Sequence, residues 1–396
     1  MNNPYLSIVA TSRNDDHGGH LLERMQAFVD GIINQSLRHQ VPCELILVEW
    51  NPPNDRPSLE KALCFNKELS FCSIRIIQVP NEVHDRFKNS QSIPLFQMLG
   101  KNVGIRRARG QFVLATNIDI IFSDSFFLQL RKKKLEIGTL YRTNRFDIPD
   151  RLPQVANYTE LLTFCKKNAF RIHKARHSYV LVNNRWAPYP CTEKKESVFS
   201  SLFILFKSKS KKMISSDVKH FFFPIIILVK SAEKILAFAA QFLNKIDSFL
   251  KRCIDYALNP EKGLHTNGCG DFTLLAKSDW DALRGYAEWT IFSWHLDSLF
   301  LYQAAFSKIK HKNWDMKSPI YHIEHEKGSG YTLEDADALF KKLQKNEIDY
   351  IDNEKFQELT DLMRIQYRKQ ETILMNDENW GLSEIDLREV IFATNH

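Results

Sequence analysis

The 396-residue chain is 44% apolar and 26% charged, which supports one or two ordinary globular domains and excludes disorder as its main state. Its net charge of +7 favours an anionic partner, whether a nucleotide diphosphate, a nucleic acid or an acidic membrane surface. Seven scattered cysteines without a CxxC pair argue against a disulfide framework and against structural zinc.

The opening MNNPYLSIVATSRND has neither a basic n-region nor a long apolar h-region, so the expectation is a cytoplasmic protein whose first strand begins almost at once. Short apolar runs at 6–10, 44–48, 74–79 and 112–116 have the signature of strands buried on both faces of a parallel sheet. Between the first two, Leu21, Leu22, Met25, Phe28, Val29, Ile32 and Ile33 recur at three- and four-residue spacing and predict an amphipathic covering helix. This is an α/β pattern. Ligands of such sheets sit at the carboxyl ends of strands, which directs attention to loops 11–19, 49–55 and 117–123. None of these loops carries GxGxxG or GxxxxGK[ST], which counts against a dinucleotide-binding Rossmann domain and a P-loop NTPase.

From about 190 to 260 the chain turns lysine-dotted and aromatic-rich, with helical periodicity in its later part. Two readings of 194–245 stand side by side: a packed helical segment with a solvated lysine face, or a basic amphipathic surface resting on the inner face of the plasma membrane. The apolar stretch 221–229 falls short of the roughly 20 residues that span a bilayer. The lysines of 194–234 lack the aromatic interleaving of a nucleic-acid reader, and no nucleic-acid partner is expected. Regular structure is expected to resume at 270–276, with Ser278-Asp279-Trp280-Asp281 as a capping box opening a helix. A helix around 294–306, a strand at 319–324 and a helical tail from about 331 complete the pattern.

The stretch Lys101-Asn102-Val103-Gly104 through Ala108-Arg109-Gly110 to Thr116-Asn117-Ile118-Asp119 reads as helix, tight turn, buried strand and acidic end. An aspartate at that strand mouth can ligate Mg²⁺ or Mn²⁺, which in turn neutralises two phosphates; its plain alternative is a turn or N-cap aspartate. The stretch resembles the family 2 glycosyltransferases, whose core carries an Asn-x-Gly helix, an Ala-x-Gly turn, a hydrophobic strand and a D-x-D metal motif. LSIVATSRND and CELILVEWNPP are similar to the family's first two strands with their loops. The resemblance implies a GT-A fold, a mixed and mostly parallel sheet flanked by helices. It also implies Thr11, Arg13, Asn14 and Asn102 near the nucleotide, Glu49 on the base or ribose, and Asn117 with Asp119 at the metal. Two departures stand out: Asn117 replaces the first D-x-D carboxylate, and Trp50 replaces the second acid of strand two.

On the acceptor side, GYAEWTIFSWHLDS resembles the Gly-Tyr/Phe-x-Glu turn and the helix bearing the catalytic carboxylate. Asp297 is then the base that takes the acceptor proton, with Glu288 the second choice, although each has the plain reading of an ordinary acid. Asp271, after Gly268-Cys269-Gly270, would bind donor-sugar hydroxyls or cap its turn. His322 and His325 would complete the metal site, or form a surface pair. The implied organisation is a nucleotide-sugar-binding half at 1–150, a helical basic and aromatic insertion at 151–262, an acceptor-side half at 263–330 and a helical extension at 331–396. The expected activity is an inverting, metal-dependent hexosyl or N-acetylhexosaminyl transfer from a UDP-sugar to a glycan or glycolipid in surface polysaccharide synthesis. Rival readings are a non-catalytic sugar-nucleotide- or membrane-binding module and a nucleotidyltransferase.

Overall fold

The computed structural model describes residues 4–65, 68–155, 157–189, 247, 258–325 and 336–393. Two compact units divide the chain, one formed by Met1–Cys191 with Gly263–His396 and the other by Thr192–Lys262. The first carries the elements that follow. The four apolar runs form β1 (Leu6–Ser12), β2 (Cys43–Trp50), β3 (Cys72–Val79) and β4 (Phe112–Ala115). Shorter strands follow: β5 (Ile120–Phe122), β6 (Thr139–Arg142), β7 (Arg145–Ile148), β8 (Arg171–His173), β9 (Ser178–Val182) and β10 (Arg185–Tyr189). After the second unit come β11 (Thr273–Ala276), β12 (Lys310–Asn313), β13 (Ile320–Ile323) and β14 (Glu389–Phe392).

An eight-stranded sheet runs β12-β6-β11-β4-β1-β2-β3-β14. Strands β1 to β4, β6 and β12 point one way, while β11 and β14 run against their neighbours. A six-stranded sheet runs β10-β9-β8-β7-β13-β5 and is antiparallel except for the β7–β13 pair. The architecture is α/β with a mostly parallel main sheet flanked by helices.

Alternation along β1 explains the layers, because successive side chains point to opposite faces. Val9, with Ile46, Val48 and Val113, packs on the side of Val103, Trp280 and Phe300, from the helices Gln97–Arg106, Lys277–Leu283 and Leu296–Phe306. Ile8, with Leu45, Ile74 and Leu114, packs on the other side against Phe28 and Ile32 of the helix Leu21–His39 and Phe126 of the helix Asp124–Arg131. Burial on both faces is why these strands read as continuous apolar runs. The helix Gln97–Arg106 lies so close to the sheet that a Cβ on Gly104 would stand 2.5 Å from Val9 Cγ1 and 3.1 Å from Val48 Cγ2.

Several expectations change. Residues 158–189, expected within the helical insertion at 151–262, form the helix Tyr158–Asn168 and strands β8 to β10 of the first unit, and the second unit begins at Thr192, close to where the composition changes at about 190. Ser278 caps nothing: the helix begins at Lys277 after Ala276, and Asp279 Oδ2 instead accepts from the Gly138 amide at 2.7 Å. The C-terminal region holds two helices, Ala336–Lys345 and Asn353–Lys369, but ends in β14. Buried Arg75 secures that edge, donating to Glu389 at 2.6 Å and to Glu44 at 3.0 Å. The stretches 194–245 and 221–229 lie outside the described residues, apart from residue 247 just beyond them. Among the described residues, no helix is long and apolar enough to cross a membrane.

Replacing Gly104 with Ala forces helix and sheet apart, and a loss of about 1–3 kcal/mol is expected, the usual size for overpacking a tight core. Denaturant unfolding measures it; unchanged stability in Gly104→Ala would show that the contact can relax freely.

Candidate functional site

Strands β1 and β4 are parallel neighbours, so their carboxyl ends open side by side. The loops that rise there line a cleft of about 530 Å³. Thr11 lines it from the end of β1, Arg13, Asp15 and His17 from the loop after β1, and Asn117 and Asp119 from the loop after β4. Arg24 joins from the first helix, Ile93 to Leu95 form an apolar wall beside Ser92, and Leu339, Lys342 and Leu343 close one side from the helix Ala336–Lys345. Buried Arg24 shapes the first loop by donating to the His17 carbonyl at 2.6 Å and the Gly18 carbonyl at 3.4 Å. That turn needs Gly18 and Gly19, whose φ values of 72° and 69° lie in the left-handed region.

Asp119 sits at the cleft floor because the chain leaves β4 and at once enters β5, which pairs with β13. Strand β13 and the residues after it bring His322 and His325 to the same carboxylate: His322 Nε2 is 3.6 Å and His325 Nε2 3.3 Å from Asp119 Oδ2. These three groups could hold a metal ion, their ligand atoms all lying within 4.8 Å of one another. Among the described residues, Asp119 Oδ1 is buried without a hydrogen-bond partner, a lone pair that fits a cation better than it fits a protein interior. One carboxylate and two imidazoles form a mixed oxygen and nitrogen set, which suits a divalent transition-metal ion better than Mg²⁺, which takes oxygen ligands.

The charges of these groups depend on one another. Burial pushes the Asp119 carboxyl up, but His322 and His325 override it and hold it well below the usual carboxylate range. Burial and Arg145 press His322 toward its neutral form, yet Asp119 and Asp147 on its two sides raise it to about 10. A cation binding at Nε2 would therefore displace a proton, the ordinary exchange at a histidine metal site.

Asn117 stands between two elements. Its Oδ1 accepts from Lys101 Nζ at 2.8 Å and Gln97 Nε2 at 3.0 Å, and its Nδ2 donates to Asp271 Oδ1 at 2.6 Å. Lys101 is fully buried and also donates to the Gly270 carbonyl at 2.7 Å. Asp271 Oδ2 accepts from Arg145 at 2.8 Å. Asp297, at the start of the helix Leu296–Phe306, belongs to the same cluster: a Cβ on Gly270 would lie 3.1 Å from Asp297 Oδ2 and 3.8 Å from Asn117 Nδ2. Asp271 and Asp297 flank the cleft without lining it.

The other predicted residues divide. Thr11 and Arg13 line the cleft, with Thr11 Oγ1 donating to the Val48 carbonyl and Arg13 paired with Asp15 at 3.6 Å. Asn14 is buried and donates to the Pro57 carbonyl. Glu49 is buried beneath the second loop, where it accepts from the Leu59 amide at 2.7 Å and from Gln78 at 3.2 Å, and burial raises its pKa. Trp50 donates to His84 Nδ1 at 2.8 Å inside an aromatic cluster. Asn102 is fully buried, clamping Tyr286 and donating to Glu288 Oε1 at 2.9 Å. Glu288 Oε1 also accepts from the Gly381 amide at 2.7 Å. Neither Glu49, Asn102 nor Glu288 lines the cleft.

Sequence reasoning missed Lys101, Arg24, Arg145 and Asp147. Lys101 had a signal, a lysine between the small and apolar residues Leu99, Gly100, Val103 and Gly104, in a helix beside the acidic strand end. Arg145-Phe146-Asp147-Ile148 alternates charged and apolar, but four residues are too few for that period to stand out. Compared with known proteins, the chain matches no family model and no curated protein.

Asn117→Asp would set two carboxylates about 2.6 Å apart where an amide now donates to Asp271. Like charges that close raise one carboxyl pKa, so the folded variant binds a proton more readily than its unfolded chain. A group raised in this way loses its contribution as pH rises. The variant should therefore melt below the parent at pH 8, with the deficit shrinking toward pH 5; a deficit independent of pH would show that the carboxylates separate.

Proposed function

We propose that the chain is a metal-dependent inverting glycosyltransferase of GT-A architecture that takes a UDP-sugar donor and a glycan or glycolipid acceptor. The observation that carries this reading is the Asp119, His322 and His325 group at the floor of a cleft lined by Arg13, Arg24 and Lys342. A nucleotide diphosphate needs such a combination, with cationic side chains and a cation for its phosphates and an apolar wall such as Ile93 to Leu95 for its base. The mixed, mostly parallel eight-stranded sheet flanked by helices is compatible with GT-A architecture. The resemblance of the first 125 residues to family 2 enzymes supports the reading further.

Asp119, His322 and His325 would hold the cation, which supplies charge neutralisation of the diphosphate leaving group. Arg13 holds the phosphates from the loop side, and Arg24 keeps that loop in shape. Asp271, fixed by Asn117 and Arg145, orients donor-sugar hydroxyls. Asp297 takes the proton of the acceptor hydroxyl as its oxygen forms the new bond to the anomeric carbon and the nucleoside diphosphate departs. The Asp297 Oδ1 accepts from the Ser298 amide at 2.7 Å, which fixes the carboxylate at the start of its helix.

Binding is tested by thermal shift with UDP-sugars and Mn²⁺, because a ligand selective for the native state raises its stability. Asp119→Ala should abolish the Mn²⁺-dependent part of the shift while the protein remains folded. An unchanged shift in that variant would remove the metal assignment.

Asp297→Asn should cut transfer by about 10²–10⁴-fold with donor affinity nearly unchanged, the loss typical of a general base. The product of the parent enzyme should carry the anomeric configuration opposite to the donor's. Near wild-type transfer by the variant would pass the role to Glu288 or Asp271, and a retained configuration would exclude the inverting mechanism.

A further inference from the structure

His322 is shared by two groups of potential ligands, Asp119 with His325 on one side and Asp147 with Glu324 on the other. Its Nε2 faces Asp119, and its Nδ1 lies 3.3 Å from Asp147 Oδ1. Backbone register dictates this arrangement, since His322 of β13 and Asp147 of β7 are directly paired residues of adjacent parallel strands. Asp147 is completely buried.

Three further cationic or imidazole groups hold the Asp147 carboxylate in place. Arg145 Nε, two residues earlier on the same strand, lies 2.9 Å from Oδ1, while Arg171 Nη1 and His173 Nε2 of β8 lie 3.1 Å and 3.0 Å from Oδ2. Two arginines already compensate this single negative charge, which disfavours a second cation on this side of His322. The same neighbours make Asp147 a rigid acceptor. An imidazole bound to a metal through one nitrogen carries its proton on the other, and a carboxylate there fixes the tautomer, orients the ring and raises its basicity.

We propose that Asp147 is a positioning residue that accepts the Nδ1–H of His322, leaving the proton on the imidazole, and so directs the Nε2 lone pair at the metal beside Asp119. This rests on the metal-site reading above. Arg145 extends the arrangement, because the guanidinium that braces Asp147 also donates to Asp271 at 2.8 Å. The orientation of a metal ligand and that of the proposed sugar-binding carboxylate thus share one side chain.

The experiment uses the full chain labelled with ¹⁵N-histidine and titrated with Zn²⁺ alone, a diamagnetic probe of the site. His322→Gln assigns the resonances by their loss. The expected spectrum of the zinc-bound protein shows His322 metallated at Nε2 and protonated at Nδ1. Zinc bound through Nδ1 of His322, or bound with His322 unperturbed while Asp119→Ala abolishes binding, overturns the proposal and leaves the metal site standing. No zinc-dependent change at any histidine overturns both. Calorimetry supplies the second arm: Asp147→Asn should weaken Zn²⁺ binding by about 10–100-fold, the usual effect of losing an outer carboxylate. A folded Asp147→Asn variant with wild-type zinc affinity would also overturn it; should that variant fail to fold, the tautomer measured in the wild-type chain decides.

Discussion

A buried ammonium joins the two stretches of chain on which the cleft depends. Lys101 Nζ, without solvent exposure, bridges Asn117 Oδ1 at the end of β4 and the Gly270 carbonyl in the turn before β11. Burial pulls its pKa down to about 8, and the neighbouring Asp271, Asp297 and Asp119 oppose that pull. The three carboxylates in turn need this charge, because acids gathered in a poorly solvated corner repel one another. Gly270 is part of the same constraint, since its lack of a side chain lets Asp297, Asn117 and Lys101 approach a common point.

From Lys101 the compensation runs outward in alternating sign. Asn117 passes it to Asp271, Asp271 to Arg145, Arg145 to Asp147, and Asp147 to Arg171, His173 and His322. The main sheet supplies one end of this series and the six-stranded sheet the other. Polar groups fixed in this manner before a ligand arrives need little reorganisation when charge develops, the condition under which electrostatics contributes most to a reaction. The substitution of Asn117 for an acid is intelligible here: its amide both accepts from Lys101 and donates to Asp271, which no carboxylate can do.

The C-terminal region is tied to the same helix from the other side. Arg107 donates to the carbonyls of Gly381, Leu382 and Ile385, and Glu288 joins Asn102 to the Gly381 amide. The helix Ala336–Lys345 then contributes Leu339, Lys342 and Leu343 to the cleft. The tail thus supplies part of the cleft wall and, as β14, pairs with β3, so that the sheet ends on a short antiparallel strand.

Sequence alone determined the strands β1 to β4, the first covering helix and the place of Asp119 at its strand mouth. Each is a local property: burial on both faces yields a continuous apolar run, burial on one helical face yields a 3.6-residue period, and a polar residue directly after a buried strand must lie at its mouth. Strands β7 to β10 were illegible because three to five residues carry too little period, and β14 because its edge position leaves it half-buried. Tertiary structure decided which polar atoms meet. Asp147 faces His322 across 175 residues of chain, and Lys101 faces Gly270 across 169, only because strand register and helix docking bring them together. Glu49 and Asn102 have the right types in the right segments, yet their side chains bond to Leu59 and to Tyr286. Local pattern encodes how deeply a segment is buried; which partner a buried polar atom finds depends on packing between segments, and no short-range period records it.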